Sequence, residues 1–599
     1  MPPRQSPNSP RAAAALVACT GLAALISPAS AGPALTVDAA LNRAPISPLI
    51  YGMNWADPTL AAELGITVNR WGGNAVTRYN WQIDSNNRAS DYFFENIANP
   101  DPGTLPNGSS SDVFVEQNIS AGAGSMITVP MIGWTPKDRV RRAGFSVAKY
   151  GAQQQTDPYF PDAGNGVYTN GANVTGNDPT DTSLAIGPSF VTQWVEHLTG
   201  RFGTADSGGV RFYLLDNEPD LWSYTHRDVF PNALTYANLY SLTVSYAQAV
   251  KAADPAALVL GPDSWGWSGY FYSPADVAIN EYPGPDQASH GGEALVDWYL
   301  DQMNAYQTAH GTRLLDYLDL HFYPQGGQAL GTAGDAALQA LRLRSTRSLW
   351  DPTYVDESWI NDTVRLIPRM HDWVNIHYPG TKLSLSEYNW GGLEDINGAL
   401  AQADILGILA SQGADLAALW DPPTSTQPGA YAFRMYRNYD GAGSGFGTTR
   451  IQATSSDQGT VAIYAAERTD NRLTLMLVNK TATAQTCPLS IAHAPVCGQT
   501  QVFEYGPTNL AAIRSLPSVT LAGNAAPTNI TVNPNTITLL LVHSSRADFN
   551  HSGAVTVQDI FDFLSAWFAK LPTADFDSSG SVTVQDIFDF LAAWFAGCT

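Results

Sequence analysis

Two stretches of the chain carry residues whose type and placement could break a covalent bond. In Leu214-Leu215-Asp216-Asn217-Glu218-Pro219, an apolar run that starts at Val210 ends in an Asn-Glu pair and stops at a proline, which a central strand does not tolerate. In Lys382-Leu383-Ser384-Leu385-Ser386-Glu387-Tyr388-Asn389-Trp390, a second strand-like run again ends in a glutamate. Either glutamate alone reads as a surface or salt-bridged carboxylate. Two with one local pattern read as a pair at the ends of buried parallel strands, where α/β barrels carry catalytic groups. Two carboxyl groups with tryptophans close by suit hydrolysis of a sugar chain. One protonates the leaving oxygen, and the other attacks the anomeric carbon or activates water.

The surrounding residues extend this expectation. Asn217 would offer its amide to a sugar hydroxyl beside the cleaved bond. His321 and Tyr323, near the end of another strand, are expected to orient or tune the nucleophile. Arg70 would keep Glu387 ionised, since an opposite charge favours the charged carboxyl. Glu218 is expected to carry a proton, with a raised pKa. Trp71, Trp390 and Trp420 are candidate sugar-stacking surfaces, Trp420 as a subsite floor. His321 and Arg70 would serve equally well as packed or paired barrel residues.

Such residues must be brought together by convergent elements. Strand-like runs at 50–54, 67–71, 126–132, 210–215, 258–263, 317–323, 382–388 and 416–421 alternate with helical stretches such as 190–202, 294–309 and 361–377. This alternation predicts a (β/α)8 TIM barrel over 49–425, with an open doubly wound sheet as the alternative. After Pro422 the pattern turns to strand-length alternation at 460–465, 472–478 and 536–542, an all-β sandwich over 426–545. Residues 32–48 are expected to join it as an additional strand. The fold class is thus α/β: a TIM barrel, an attached β-sandwich and a small α-helical module at 546–599.

The chain of 599 residues is too long for one ordinary domain. A net charge of −23 argues against nucleic acid, which needs a basic face, and leaves an uncharged polysaccharide as a compatible partner. The 16 tryptophans exceed what packing usually demands. Arg4 and Arg11 precede an apolar segment at 12–26 and then Ala29-Ser30-Ala31. That order predicts a signal peptide over 1–31 and a secreted protein, with lipidation at Cys19 ranked second. No later segment reaches the ~18 apolar residues of a membrane span. Cys487 and Cys497 flank a short turn-like segment and are expected to form a local disulfide. Cys598 is the odd one, either free or linked to another molecule.

Residues 548–599 contain a repeat. Asp548-Phe549-Asn550-His551-Ser552-Gly553 recurs as Asp575-Phe576-Asp577-Ser578-Ser579-Gly580, and both copies continue Val-Thr-Val-Gln-Asp-Ile-Phe-Asp-Phe-Leu. Hard oxygen donors stand at positions 1, 3 and 5 of each loop, with glycine at 6 and a carboxylate at 12, the pattern of a Ca²⁺ loop. The ligand sets are Asp548, Asn550, Ser552 and Asp559, then Asp575, Asp577, Ser579 and Asp586. Ser at position 5 and Asp at 12 depart from the ordinary EF-hand. The pair resembles a type I dockerin, which implies Ca²⁺ as the ligand and a cohesin or cell-surface scaffold as the partner. Phe561, Phe563, Trp567 and Phe568 supply an apolar face, part of which must be core. No organic cofactor is expected.

In the barrel, Tyr51-Gly52-Met53-Asn54, Asn69-Arg70-Trp71-Gly72-Gly73-Asn74, Asp91-Tyr92-Phe93-Phe94-Glu95-Asn96, Asp216-Asn217-Glu218-Pro219 and Ser386-Glu387-Tyr388 together resemble glycoside hydrolase family 44. The resemblance spans roughly 35–545. It implies a barrel with an attached β-sandwich and a retaining endo-β-1,4-glucanase, often active on xyloglucan. By matching position, it makes Glu218 the acid/base and Glu387 the nucleophile, with carboxyl groups about 5–5.5 Å apart. Ca²⁺ near the barrel also follows by family analogy, although no loop there is assignable. The alternatives are a barrel endo-glycosidase acting on xylan or mannan, and a non-catalytic carbohydrate-binding protein organised around the C-terminal repeat.

Overall fold

The computed structural model describes residues 30–597 except 101–102, 327–330, 471, 523–526 and 578. The proposed signal peptide falls outside the described residues except for its last two positions, and Cys19 and Cys598 fall outside them entirely. Eight parallel strands close a barrel: β1 Gly52–Asn54, β2 Val68–Trp71, β3 Gly124–Val129, β4 Phe212–Leu215, β5 Leu258–Ser264, β6 Tyr317–Phe322, β7 Lys382–Tyr388 and β8 Leu416–Leu419. Each of the eight predicted runs is one of these strands. β8 closes the ring by pairing Ala418 with Gly52 of β1. Helices cover the outside, so the strands are buried on both faces and read as continuous apolar runs.

Local chemistry sets the helix ends. Pro58–Leu64 starts at Asp57, whose side chain accepts from the N–H groups of Thr59 and Leu60, and stops at Gly65 in the left-handed region. Helix Ile396–Gln412 is buried continuously from Asn397 to Ala410, because it is wedged between the barrel and the β domain. Its Asp404 accepts from Thr346 Oγ1 and Lys480 Nζ at 2.7 Å and from Tyr464 OH at 2.8 Å, tying the two units. A Cβ on Gly407 would lie 2.2 Å from the Tyr464 ring, so only glycine permits this approach.

In the β domain, strand Leu35–Asp38 lies between Gln485–Ala492 and Thr449–Ser455, so the N-terminal segment does enter it. The sheet doubles back at Thr449–Ser455, and its two halves enclose Leu35, Val37, Ile463, Leu475, Leu489 and Leu540. The expected Cys487–Cys497 disulfide is absent. Cys487 is a free thiol with no exposed surface inside that core, and burial pushes its pKa up to about 11. Its strand register places it opposite Ile530, while Cys497 lies opposite His543 on another strand. Cys497 is disulfide-bonded, but not to Cys487.

The C-terminal repeat forms two helices, Val557–Phe568 and Val584–Ala596, each opened by a capping box from Thr556 and Asp559 or from Thr583 and Asp586. The equivalent Phe563 and Phe590 stack at 4.2 Å with 1° between ring planes. Each copy's tryptophan bonds the other's helix start: Trp567 Nε1 donates to Thr583 O and Trp594 Nε1 to Thr556 O. Phe561 and Phe568 are exposed, as are their counterparts Phe588 and Phe595. A unit this small has little core to spare. Phe563→Ala should cost about 3–5 kcal/mol and abolish hydrogen-exchange protection in both C-terminal helices while leaving that of the barrel strands intact.

Candidate active site

The C-terminal ends of β1, β2, β4, β5 and β7 meet around one buried guanidinium. Arg70, on β2, has no exposed surface. Its Nη1 donates to Glu387 Oε1 at 2.6 Å and to Asn54 Oδ1 at 3.1 Å. Its Nη2 donates to Asn217 Oδ1 and to Asp263 Oδ2, both at 3.0 Å. A fork of donors held in one plane suits four acceptors that must stay in fixed relation. Burial works against its charge, but Asp263 and Glu387 outweigh that and raise its pKa further.

Glu218 follows β4 through a strained turn. Asp216 and Glu218 both adopt positive φ, 70° and 45°, a conformation that costs free energy and concentrates at functional sites. The Asp216 carboxylate fixes the turn by accepting from the N–H groups of Met131, Ile132 and Asn217. Burial nonetheless pushes its pKa up to about 7. Glu218 is raised too, mainly by burial, against a lowering by His321. His321 Nδ1 lies 2.9 Å from Glu218 Oε1 and 3.5 Å from Glu387 Oε2. Tyr323 OH donates to Glu387 Oε2 at 2.7 Å. One carboxylate oxygen of Glu218 and one of Glu387 lie within 4.8 Å of each other.

Glu218, Glu387, Asn217, Arg70, His321 and Tyr323 therefore converge. The two ring side chains divide differently from expectation: Tyr323 serves Glu387, whereas His321 lies closer to Glu218 than to Glu387. Two tryptophans need correction as sugar-stacking surfaces. Trp71 is 3% exposed, its ring closed in by Trp55, Tyr79 and Phe114. Trp390 is 2% exposed, its Nε1 donates to Ser345 Oγ, and it packs on Phe322. Trp420 does reach the open side. It lines a 590 Å³ cavity with Asn54 and the half-exposed Trp55, and a Cβ on Gly73 would meet its ring at 2.6 Å. A larger cavity of 980 Å³ lies between barrel and β domain but is lined by no carboxylate.

Sequence reasoning missed Trp55, Asp263, Asp319 and Ser386. Asp319 carried a signal, a lone acid inside the apolar run of β6. Removing the buried guanidinium should leave two carboxylates uncompensated, so Arg70→Ala should lower stability by about 3–5 kcal/mol in chemical denaturation and abolish turnover.

The chain is similar to known proteins in sequence and in fold. A family model for glycoside hydrolase family 44 matches residues 85–326. The chain is 41% identical to the solved structure of CelM2, a bifunctional glucanase-xylanase from a metagenome library, with a TM-score of 0.83 over 86% of this chain and 100% of that one. A Paenibacillus polymyxa xyloglucanase of family 44 superposes with a TM-score of 0.72 at 29% identity, over 86% of this chain and 100% of that one. Endoglucanase A of Paenibacillus lautus is 32% identical over 487 residues, 78% of this chain; the match spans 66% of that longer protein. On these matches, the chain belongs to glycoside hydrolase family 44.

Proposed function

We propose that the protein is a secreted, retaining endo-β-1,4-glucanase acting on β-glucans that include xyloglucan. The observation that carries this is the approach of the two glutamates to within 4.8 Å. It favours the short spacing of retaining enzymes, about 5–5.5 Å, over the roughly 6.5–9.5 Å that leaves room for an inverting water. Glu218 gives its proton to the leaving glycosidic oxygen while Glu387 attacks the anomeric carbon, forming a glycosyl ester on Glu387. Glu218, now ionised, takes a proton from water, and the hydroxide displaces Glu387 with net retention. Tyr323 holds the attacking carboxylate. Asn217 has its oxygen occupied by Arg70 and the Gly73 N–H, so its NH₂ is the group it presents to substrate. Trp55 and Trp420 are the rings placed to stack on sugars.

A second substrate class is supported by CelM2, named for glucanase and xylanase activity together. Xylan would occupy the same site by the same chemistry. For the C-terminal unit we propose Ca²⁺ binding and attachment to a cohesin-like or surface partner. Asp575, Asp577 and Asp586 bring one oxygen each within 4.8 Å of one another, and hard oxygen donors so arranged fit Ca²⁺. In this reading Asp548, Asn550, Ser552 and Asp559 hold a second ion and Ser579 completes the first.

Reducing-end assays on carboxymethyl-cellulose, xyloglucan, xylan and mannan should show the fastest rates on the glucans. Glu387→Ala should reduce them by at least ~10⁴-fold and Glu218→Ala by ~10²–10⁴-fold, and NMR should show the β-anomer forming first. A first-formed α-anomer would replace retention with inversion. EGTA should lower hydrogen-exchange protection in 557–568 and 584–596, and added Ca²⁺ should restore it.

A further inference from the structure

Beneath the two glutamates lie two more carboxylic acids, Asp263 at the end of β5 and Asp319 within β6. Both are fully buried, and one oxygen of each lies within 4.8 Å of the other and of a His321 ring nitrogen. They reach for the same hydroxyl: Ser386 Oγ is 2.9 Å from Asp263 Oδ1 and 2.6 Å from Asp319 Oδ2. A hydroxyl has one proton to donate, and two adjacent buried carboxylates do not both ionise. The surroundings decide which keeps the proton. Asp263 faces the cations, with Arg70 Nη2 at 3.0 Å and His321 Nε2 at 2.8 Å. Asp319 accepts from neutral donors, the N–H of Ser386 at 3.1 Å and its hydroxyl.

Building on the two-glutamate mechanism above, we infer that Asp319 and Asp263 form a proton-sharing pair that positions the catalytic groups. Asp319 is the neutral acid that donates to Asp263, and Asp263 is the anion that holds His321 doubly protonated against Glu218. Asp263 also acts through its backbone. Its carbonyl accepts the Glu218 N–H at 3.2 Å, and Asp263 itself has a φ of 60°. One residue thereby fixes the acid's main chain, the acid's imidazole partner and, through Arg70, the second glutamate.

The titration behaviour agrees. Burial raises Asp319 well above the usual carboxylate range, and the Asp263 charge adds to this. Burial raises Asp263 too, but His321 and Arg70 outweigh it and hold it below that range. For His321, burial is outweighed by Glu387 and Asp263. The groups facing His321 are Glu218, Asp263, Asp319 and Glu387, with Arg70 and Asp220 behind them.

The test is a pair of substitutions read against pH. In Asp263→Asn the single amide oxygen must face the guanidinium, so the NH₂ faces His321 Nε2 and requires a lone pair there. His321 then becomes neutral, and Glu218 loses the cation that lowers its pKa, a larger influence than the raising effect of Asp263 itself. The variant should fall about a hundredfold or more in kcat/KM, and the alkaline limb of its pH profile should move to higher pH. At the neighbouring site, Asp319→Asn keeps an uncharged donor and should retain at least ~10-fold more activity than Asp319→Leu, the loss falling on kcat rather than KM. An Asp263→Asn profile superimposable on that of the wild type would overturn the inference, as would equal activity of the two Asp319 variants. If Asp263→Asn does not fold, the Asp319 pair still decides. A wild-type enzyme inactive on every glycan would instead remove the function on which the pair depends.

Discussion

Everything at the mouth of this barrel depends on burying one guanidinium. A cation without water is tolerable only when hydrogen-bonded anions surround it at short range, and Arg70 meets that condition with Glu387 and Asp263. The same contacts fix geometry. Arg70 touches groups carried by β1, β4, β5 and β7, so the charge that must be neutralised also ties four strand ends to one point. His321 repeats the arrangement on the other side, between Glu218 and Asp263. Two cations and an interleaved set of acids form one network, and a change at any member is felt at both glutamates.

The strain of the site is local and is carried by the scaffold. Positive φ at Asp216, Glu218, Asp263 and Asp421 appears where β4, β5 and β8 end. At β4 and β5 the paired strand holds the residues before each turn, and hydrogen bonds from the neighbouring loop hold the residues after it. Asp216 takes its donors from the chain beyond β3, and Glu218 gives its N–H to Asp263. The turns are thus over-determined by the barrel, and a large core keeps unfavourable dihedrals populated.

The barrel was legible because its strands are buried on both faces, which leaves uninterrupted apolar runs that end where the chemistry begins. Glu218 and Glu387 were legible for the same reason, each closing such a run. Legibility stopped where side-chain environment rather than residue type decides. Trp71 and Trp390 have the composition of sugar platforms, yet both are walled in by other rings, while Trp55 stands open to the cleft. Cys487 and Cys497 are close in sequence, but their strands diverge and one thiol points into the β core. Asp319 was passed over because an acid inside a strand reads as an exception to the pattern. Its meaning appears only once β5 and β7 bring Asp263 and Ser386 beside it.

The C-terminal unit solves a different problem with fewer residues. Its buried apolar side chains are few: Ala547, Phe563, Ala566, Ala574, Phe576 and Phe590 among the described residues, and the central contact is a phenylalanine stacked on its own repeat counterpart. Against that small core, Asp575, Asp577 and Asp586 crowd their oxygens together, an arrangement whose mutual repulsion opposes folding. In the barrel, similar crowding is offset by protein cations, Arg70 and His321. The repeat places no arginine or lysine in its loops, so the proposed Ca²⁺ would supply the counter-charge. A divalent ion bound only by the folded form stabilises it in proportion to the logarithm of its concentration. If Ca²⁺ binds there as proposed, ion binding and folding of this unit are one equilibrium, whereas the barrel carries its own counter-ions and folds around them.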